Sequence, residues 1–146
     1  MCQHITVILR NSSGAFAGVT KLLKAEDVNI LAFHVGGSSP GHGYAQLVCD
    51  DHLKALAVLT GVFQNYAYES EIIAIKTLNK PGSLHDVMSQ LAAAKVNVEN
   101  AYQTLDYQGS AIIVIEPSQS QVGLARSTLA GKHNLIDDFR SVKSPQ

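Results

Sequence analysis

The sequence predicts an α+β protein made of two copies of one small unit in tandem. The first observation is an internal repeat, because one constant offset in residue number places Gly14 on Gly82 and Asn29 on Asn97 without a gap. The second is that strand-like alternation and helix-like stripes follow each other in the same order in both copies. The third is a glycine turn between the first strand and the first helix of each copy. A repeat of this kind indicates a duplicated structural unit.

The match between the copies resumes beyond the hairpin at a smaller offset, which places Gly43 on Gly109 and Ala45 on Ala111. The sequence therefore predicts that the hairpin loop of the second copy is two residues shorter than that of the first. Hairpin loops tolerate such differences in length.

The first copy alternates apolar and polar residues, then shows an apolar stripe at helical spacing, and then turns to strand again. Its predicted elements are a strand over His4–Leu9, a turn over Asn11–Gly14 whose Asn or Ser can cap a helix ending near Glu26, a strand over Val28–Val35, a loop over Gly36–Gly41, a strand over Tyr44–Cys49, a helix that Asp50-Asp51 begins and that runs through Leu53–Leu59, and a weak strand over Tyr66–Ser70.

The second copy repeats this order. Its predicted elements are a strand over Ile72–Leu78, a turn over Asn79–Gly82, a helix over Leu84–Ala94, strands over Val96–Thr104 and Ala111–Glu116, a helix over Val122–Leu129 and a final strand over about Leu135–Val142. The order β-α-β-β-α-β is that of the ferredoxin-like unit. Each unit should therefore have an antiparallel sheet with its helices on one face, and the domains should span 1–70 and 71–146.

One strand is apolar on both faces. Helices cover one face of the sheet in such a unit, so the other face should be polar unless something covers it. Ile112 and Val114 therefore predict that this second face is buried, either by the other copy or by a second chain.

Composition excludes several classes of protein. Hydrophobic residues make up 46% of the chain and charged residues 16%, which indicates a globular protein. No apolar run approaches the roughly 20 residues that a membrane helix needs. A net charge of −1 without a basic run argues against a nucleic-acid surface. The opening residues do not resemble a signal peptide, and Cys2 and Cys49 stand isolated, so the sequence predicts a cytoplasmic protein with reduced thiols and a buried Cys49.

The repeated glycine turn has two interpretations. A helix N-terminus has unpaired N–H groups and a partial positive charge, and a carboxylate can approach it closely beside Gly14 or Gly82. Alternatively, the glycines only permit a tight turn. Lys80 is either a counter-charge for an anion or a solvated surface group. Asn29 and Asn97 either close the helix-to-strand turn or offer an amide to a ligand.

Catalytic and metal-binding patterns are lacking. His34, His42 and His52 surround the first hairpin near Cys49, but without the spacing of a metal site. Ser12 and Ser13 have no nucleophile-elbow context. The sequence therefore predicts neither an enzyme nor a cofactor.

The residues of the second copy resemble the ACT domain, through Asn79-Lys80-Pro81-Gly82-Ser83-Leu84 and then Val96-Asn97-Val98. The first copy is similar to a looser version, with Asn11-Ser12-Ser13-Gly14-Ala15-Phe16 and then Val28-Asn29-Ile30. The resemblance covers residues 4–142, and the arrangement resembles that of small proteins made of two ACT domains. The first turn lacks the Lys-Pro pair, so its pocket can differ from that of the family.

The resemblance implies a regulatory protein of amino-acid metabolism that binds an amino acid at the seam between ACT units. It implies a homodimer, a possible separate target enzyme, and neither nucleic acid nor membrane as a partner. The alternative is a pure interaction module that acts on a separate enzyme. The ligand-binding residues it implies are Asn11, Ser12, Ser13, Gly14, Ala15, Phe16, Val28, Asn29, Ile30, Asn79, Lys80, Pro81, Gly82, Ser83, Leu84, Asn97 and Val98.

Overall fold

A computed structural model describes residues 2–105 and 108–141. These residues fall into two compact units, one of Gln3–Ser70 and one that begins at Glu71 and includes Cys2. The elements are β1 (Cys2–Arg10), α1 (Ala15–Ala25), β2 (Ile30–Ser39), β3 (His42–Cys49), α2 (His52–Phe63), β4 (Ala67–Leu78), α3 (Ser83–Ala93), β5 (Val98–Leu105), β6 (Ser110–Pro117), α4 (Val122–Leu129) and β7 (Asn134–Ile136), with 3₁₀ turns over Gln64–Tyr66, Gln119–Gln121 and Phe139–Ser141.

Each unit has an antiparallel sheet. In the first unit β3 lies between β1 and β2, with Ile5 opposite Leu47 and Arg10 opposite His42. In the second unit β6 lies between β4 and β5, and β7 pairs with β4. The predicted ferredoxin-like fold with antiparallel sheets is confirmed.

The helices of each unit bury one apolar stripe against one face of its sheet. In the first unit Val19 and Leu23 of α1 and Leu59 of α2 are fully buried against alternate residues of β1 and β3. In the second unit Val87 and Leu91 of α3 occupy the matching places. Burying one such side chain stabilises a fold by about 1.5–3 kcal/mol, so these stripes hold the helices on the sheets.

Strand β6 is buried on both faces, as its apolar sequence predicts. Ile113 and Ile115 belong to the core beneath the helices. Ile112 and Val114, on the opposite face, are 2% and 0% exposed. Both side chains are buried in the single chain, so they offer no exposed surface to a partner enzyme.

Helix beginnings were predicted correctly for α2 but not for α1. Asp51 accepts a hydrogen bond from the backbone N–H of Lys54 at 3.1 Å and so caps α2. The N-cap of α1 is Gly14, and no Asn or Ser side chain caps that helix. The reason is that Gly14 adopts a left-handed conformation, with φ of 84°, and the turn closes through backbone hydrogen bonds instead.

The predicted loop over Gly36–Gly41 was wrong, because β2 continues to Ser39 and only Pro40-Gly41 form the turn. The glycines serve close packing in the hairpin. A Cβ atom on Gly43 would lie 2.9 Å from the carbonyl oxygen of Gly36, and one on Gly36 would lie 3.1 Å from the ring of Tyr44. Glycine in a strand often marks such a close approach.

The predicted change of offset beyond the hairpin was also wrong. Arg10 pairs with His42 in the first unit, and Leu78 pairs with Ser110 in the second. The offset from Arg10 to Leu78 therefore equals the offset from His42 to Ser110, so Gly109 corresponds to Gly41 and the second hairpin is not shorter. Gly41 and Gly109 both have φ of 84°, so they occupy the same place in the two hairpins. Gly43, which the sequence alignment places on Gly109, is not the equivalent residue.

Two further boundaries differ from the prediction. The predicted strands Tyr66–Ser70 and Ile72–Leu78 form one strand, β4, because no turn residue interrupts them. The final strand was predicted over about Leu135–Val142, whereas β7 ends at Ile136 in the structure. Val142 lies outside the described residues. Asp138 stops that strand by accepting hydrogen bonds from the backbone and side chain of Arg140.

Candidate functional site

The two glycine turns have the same backbone geometry. The N–H group of Asn11 donates to the carbonyl oxygen of Gly41 at 3.1 Å, and that of Asn79 donates to Gly109 at 3.1 Å. The caps, Gly14 and Gly82, have φ of 84° and 92°. Each turn thus joins its first strand to the tip of its hairpin and delivers the chain into a helix.

Each turn leaves backbone donors unpaired at the start of its helix. Gly18 donates to Gly14, and this is the first hydrogen bond of the α1 ladder. The N–H groups of Phe16 and Ala17 take no acceptor among residues 2–105 and 108–141. Such a helix end carries a partial positive charge and can receive a carboxylate.

A cleft of about 700 Å³ lies at the first turn, inside the first unit. It is enclosed by the end of β1, the turn, the start of β3 and the end of α2. The lining residues are Ile8, Leu9, Arg10, Ser12, Ser13, Gly14, Ala15, His42, Phe63 and Tyr66. Four predicted site residues, from Ser12 to Ala15, therefore lie in one cavity.

The cleft combines positive charge with an apolar wall. Arg10 is exposed, and within the described part of the chain no carboxylate lies at ion-pair distance from it. Phe63 and Tyr66 line the cleft, and Tyr66 is 64% exposed. An unpaired guanidinium in a cleft that the N–H-bearing turn residues Ser13 and Gly14 also line can bind a carboxylate, and the aromatic rings can pack against an apolar group.

The remaining residues of the first turn have local roles. A Cβ atom on Gly37 would lie 3.2 Å from Nδ2 of Asn11, so the Asn11 side chain packs over this part of β2. Phe16 stacks on Phe33 of β2, with 5.7 Å between ring centroids. These contacts fix the turn against the neighbouring strand.

The second turn presents different side chains. Ser83 is buried, whereas Leu84 is 48% exposed. Lys80 accepts a hydrogen bond from the Ser83 N–H through its carbonyl oxygen at 3.3 Å. Pro81 has no N–H group, so this turn offers one backbone donor fewer than the first.

The starts of β2 and β5 lie at the other end of their sheets from the turns. Asn29 donates its N–H to Oδ1 of Asp50 at 2.9 Å, beyond the end of β3, while Asn11 bonds to Gly41 before its start. The eight residues of β3 separate these points by roughly 25 Å. Val28 and Ile30 lie beside Asn29, so one unit does not bring them to its own turn.

Asn97 and Val98 lie at the matching end of the second unit. The N–H of Asn97 donates to Gln121, and its side-chain amide donates to Glu99 and Ser118 at 2.9 and 3.1 Å. These bonds engage both the backbone and the side-chain donors of Asn97. Val98 pairs with Pro117 at the edge of the sheet.

Six of the ten lining residues were not predicted as site residues: Ile8, Leu9, Arg10, His42, Phe63 and Tyr66. Arg10 precedes the turn directly, and its position next to Asn11 was a signal that could have been used. Phe63 and Tyr66 lie far from the turn along the chain. Only the return of α2 to the turn end of the sheet brings them to the cleft.

Histidines and cysteines do not form a metal cluster within the described residues. His34 bonds to the Tyr44 hydroxyl at 3.3 Å, and His52 bonds to Glu69 at 2.6 Å. Cys49 is buried and free, as predicted, and burial raises the pKa of its thiol to about 12. This thiol is therefore protonated at neutral pH and unreactive.

Solved structures show the same fold. A protein from Bacteroides thetaiotaomicron is 25% identical to this chain, with 92% of this chain and 91% of that one covered and a TM-score of 0.79. The regulatory subunit of aspartate kinase from Thermus thermophilus is 16% identical, with 88% and 90% covered and a TM-score of 0.64. No curated protein sequence gave a match.

Fold and turns define a tandem pair of ferredoxin-like domains. The profile described as an ACT domain pair matches residues 1–132. The chain therefore belongs to the ACT domain pair family, and the resemblance seen in the sequence is confirmed. No helix among the described residues is both long and apolar enough to span a membrane.

Proposed function

We propose that the protein is a regulatory binding protein of amino-acid metabolism, whose ligand is a small carboxylate held in the cleft at the first turn. The observation that supports this most directly is that unpaired Arg10 lines the same cleft as Phe63, Tyr66 and the turn residues Ser13 and Gly14, whose N–H groups have no acceptor among the described residues. An amino acid, the class that the family resemblance implies, is such a carboxylate.

A thermal-shift and calorimetric screen of the full chain tests this proposal. The panel holds the twenty amino acids and the small monocarboxylates that share their side chains. A ligand at 100 times its dissociation constant stabilises a fold by about 2.7 kcal/mol, which such a screen detects. Failure of every compound at millimolar concentration would refute the proposal.

Substitution of Arg10 by leucine, the residue at the matching position 78, locates the site. We expect Arg10→Leu to weaken binding about tenfold or more, because a hydrogen bond to a charged group is lost. Lys24→Leu removes an exposed cation at the opposite end of α1 and should leave affinity unchanged. Equal affinities for the two variants would place the ligand elsewhere.

We further propose that the ligand-bound protein binds and regulates a separate enzyme. Similar folds include regulatory subunits of aspartate kinase from two Thermus species, which supports this role.

Apolar Phe33 and Val35, exposed at 59% and 45% on β2, support the predicted homodimer. Light scattering of the full chain tests for that dimer. Binding at a seam between ACT units, and the sites at the second turn and at the starts of β2 and β5, stay predictions.

A further inference from the structure

We infer that the cleft at the first turn selects an apolar carboxylate that carries no ammonium group, with 2-oxo acids as the ligand class, over the corresponding amino acids. This inference rests on the proposed function, since it concerns which carboxylate the cleft prefers. It follows from the charges of the cleft, from its hydrogen-bonding groups and from the position of the acidic residues in the first unit.

Among the residues that the structure describes, those lining the cleft include no group that neutralises an ammonium ion. Its ten lining residues include Arg10 and His42 but neither aspartate nor glutamate. An amino acid bound with its carboxylate on Arg10 would hold its ammonium group a few ångströms from the same guanidinium. That repulsion is not balanced by a carboxylate in the cleft, and like charges at such distances disfavour binding.

The backbone of the turn offers free donors, and three of its five carbonyl oxygens from Arg10 to Gly14 already accept hydrogen bonds, whereas those of Asn11 and Ser13 have no donor among the described residues. The carbonyl oxygens of Arg10, Ser12 and Gly14 accept hydrogen bonds at 2.9, 3.3 and 3.0 Å from N–H groups of the same turn and of α1. Among the lining residues of the turn, Ser13 and Gly14 have N–H groups without an acceptor among the described residues. A carboxylate with an adjacent ketone needs donors, and an ammonium needs acceptors.

The acidic residues of the first unit lie at the other end of its sheet. They are Glu26, Asp27, Asp50, Asp51 and Glu69. Asp50 bonds to Asn29 and its neighbour Asp51 caps α2. Glu69 bonds to His52, also at the start of α2. The carboxylates of the first unit are thus gathered at the end away from the cleft, together with Lys24 and Lys54.

The walls of the cleft determine the rest of the ligand. Phe63, Tyr66 and Ile8 contribute apolar surface to the lining of the cleft. An aliphatic or aromatic side chain can bury there, while a second charged group would lose its hydration without a partner. The fitting ligand therefore has one carboxylate, acceptor atoms beside it, and an apolar body.

Matched compounds test this inference on the full chain by calorimetry. One set is 3-phenyl-2-oxopropanoate, 3-phenylpropanoate, phenylalanine and 2-phenylethylammonium, and a second set has the isobutyl side chain in place of benzyl. In the set that binds, we expect both acids without nitrogen to bind at least about tenfold more tightly than the amino acid. The ammonium compound should not bind.

A variant with an added carboxylate in the cleft tests the ligand preference independently. Ser12→Asp should shift the preference toward the amino acid by about tenfold, because it gives the ammonium a counter-charge. Ser12→Asn, of nearly the same size but uncharged, should leave the preference unchanged.

The outcomes separate the two proposals. An amino acid that binds as tightly as its 2-oxo acid, or an unchanged preference in Ser12→Asp, would overturn the inference and leave the proposed function intact. If no carboxylate binds, the proposed function and the inference both fail.

Discussion

The turn at Asn11–Gly14 and the turn at Asn79–Gly82 share a backbone conformation and differ in their side chains. Both bond to the hairpin tip at 3.1 Å, and both close through a 3.3 Å bond from the first helical residue. The first turn has Arg10 before it, where the second has Leu78. The second turn has Lys80 and Pro81, where the first has Ser12 and Ser13.

The surroundings of the two turns also differ. Helix α2 has 12 residues and brings Phe63 and Tyr66 to the first turn, whereas α4 has 8 residues and ends at Leu129. The Lys-Pro motif of the second turn, which best matches the family, therefore indicates the backbone conformation of the turn and does not by itself indicate a ligand site. The chemistry that can hold a ligand depends on residues outside the motif.

The largest expected effect tests the shared backbone. Gly14→Val and Gly82→Val should each destabilise the fold by about 2 kcal/mol, because a β-branched residue is strained at positive φ. A Cβ atom at either glycine meets no atom within 4 Å, so strain and not collision is the cause. Urea unfolding measures the loss. Gly18→Ala, inside α1 and equally uncrowded, should be slightly stabilising. Unequal losses at the two glycines would break the equivalence of the turns.

A smaller effect tests the difference in surroundings. Tyr66→Asn removes the exposed ring from the cleft and should weaken binding of an apolar carboxylate by about 1 kcal/mol, because stacking area is lost. Tyr68→Asn changes another exposed tyrosine that does not line the cleft and should have no effect. Calorimetry with the tightest compound of the screen measures both. Equal losses would mean that the aromatic wall does not contact the ligand.

The smallest effect tests whether the turns are interchangeable. Ser13→Pro copies Pro81 and should stabilise the first unit by about 0.5 kcal/mol, because proline restricts the unfolded chain at a compatible position. It also removes one N–H donor, so carboxylate affinity should fall by no more than a few-fold. Thermal unfolding with and without ligand reports both quantities. A loss of stability would show that the two turns differ in backbone after all.

Much of the fold could be predicted from local patterns. The stripe of α1 and the alternation along β1 identify buried faces, and α4 was predicted over Val122–Leu129, as observed. The burial of Ile112 and Val114 followed from a strand that is apolar on both faces. These features depend on neighbours in the sequence, which a single chain displays directly.

The errors arose where distant contacts decide the structure. Gly36 and Gly43 looked like loop and alignment markers, but each is required because its partner strand lies so close. Glycine identity alone does not distinguish a turn from a close approach. The strand pairing of Arg10 with His42, visible only in the sheet, corrected the alignment of the copies.

The candidate site was predictable only in part. Ser12 to Ala15 were placed correctly at a strand–helix turn, because turn chemistry is local. Tyr66 was missed, since its approach depends on how α2 returns across the sheet, whereas Arg10 was missed although it directly precedes the turn. Asn29 was grouped with the turn by resemblance, although one unit keeps the two at opposite ends of its sheet.

The constant offset between the two units bears on how the halves diverged. From the turns to the ends of β3 and β6, matched positions are separated by neither insertion nor deletion. Specialisation after duplication therefore proceeded there by exchange of side chains on a fixed scaffold. Either unit can therefore change its side chains by single substitutions while both units keep the same backbone. A comparison of the two units shows which positions have changed since the duplication.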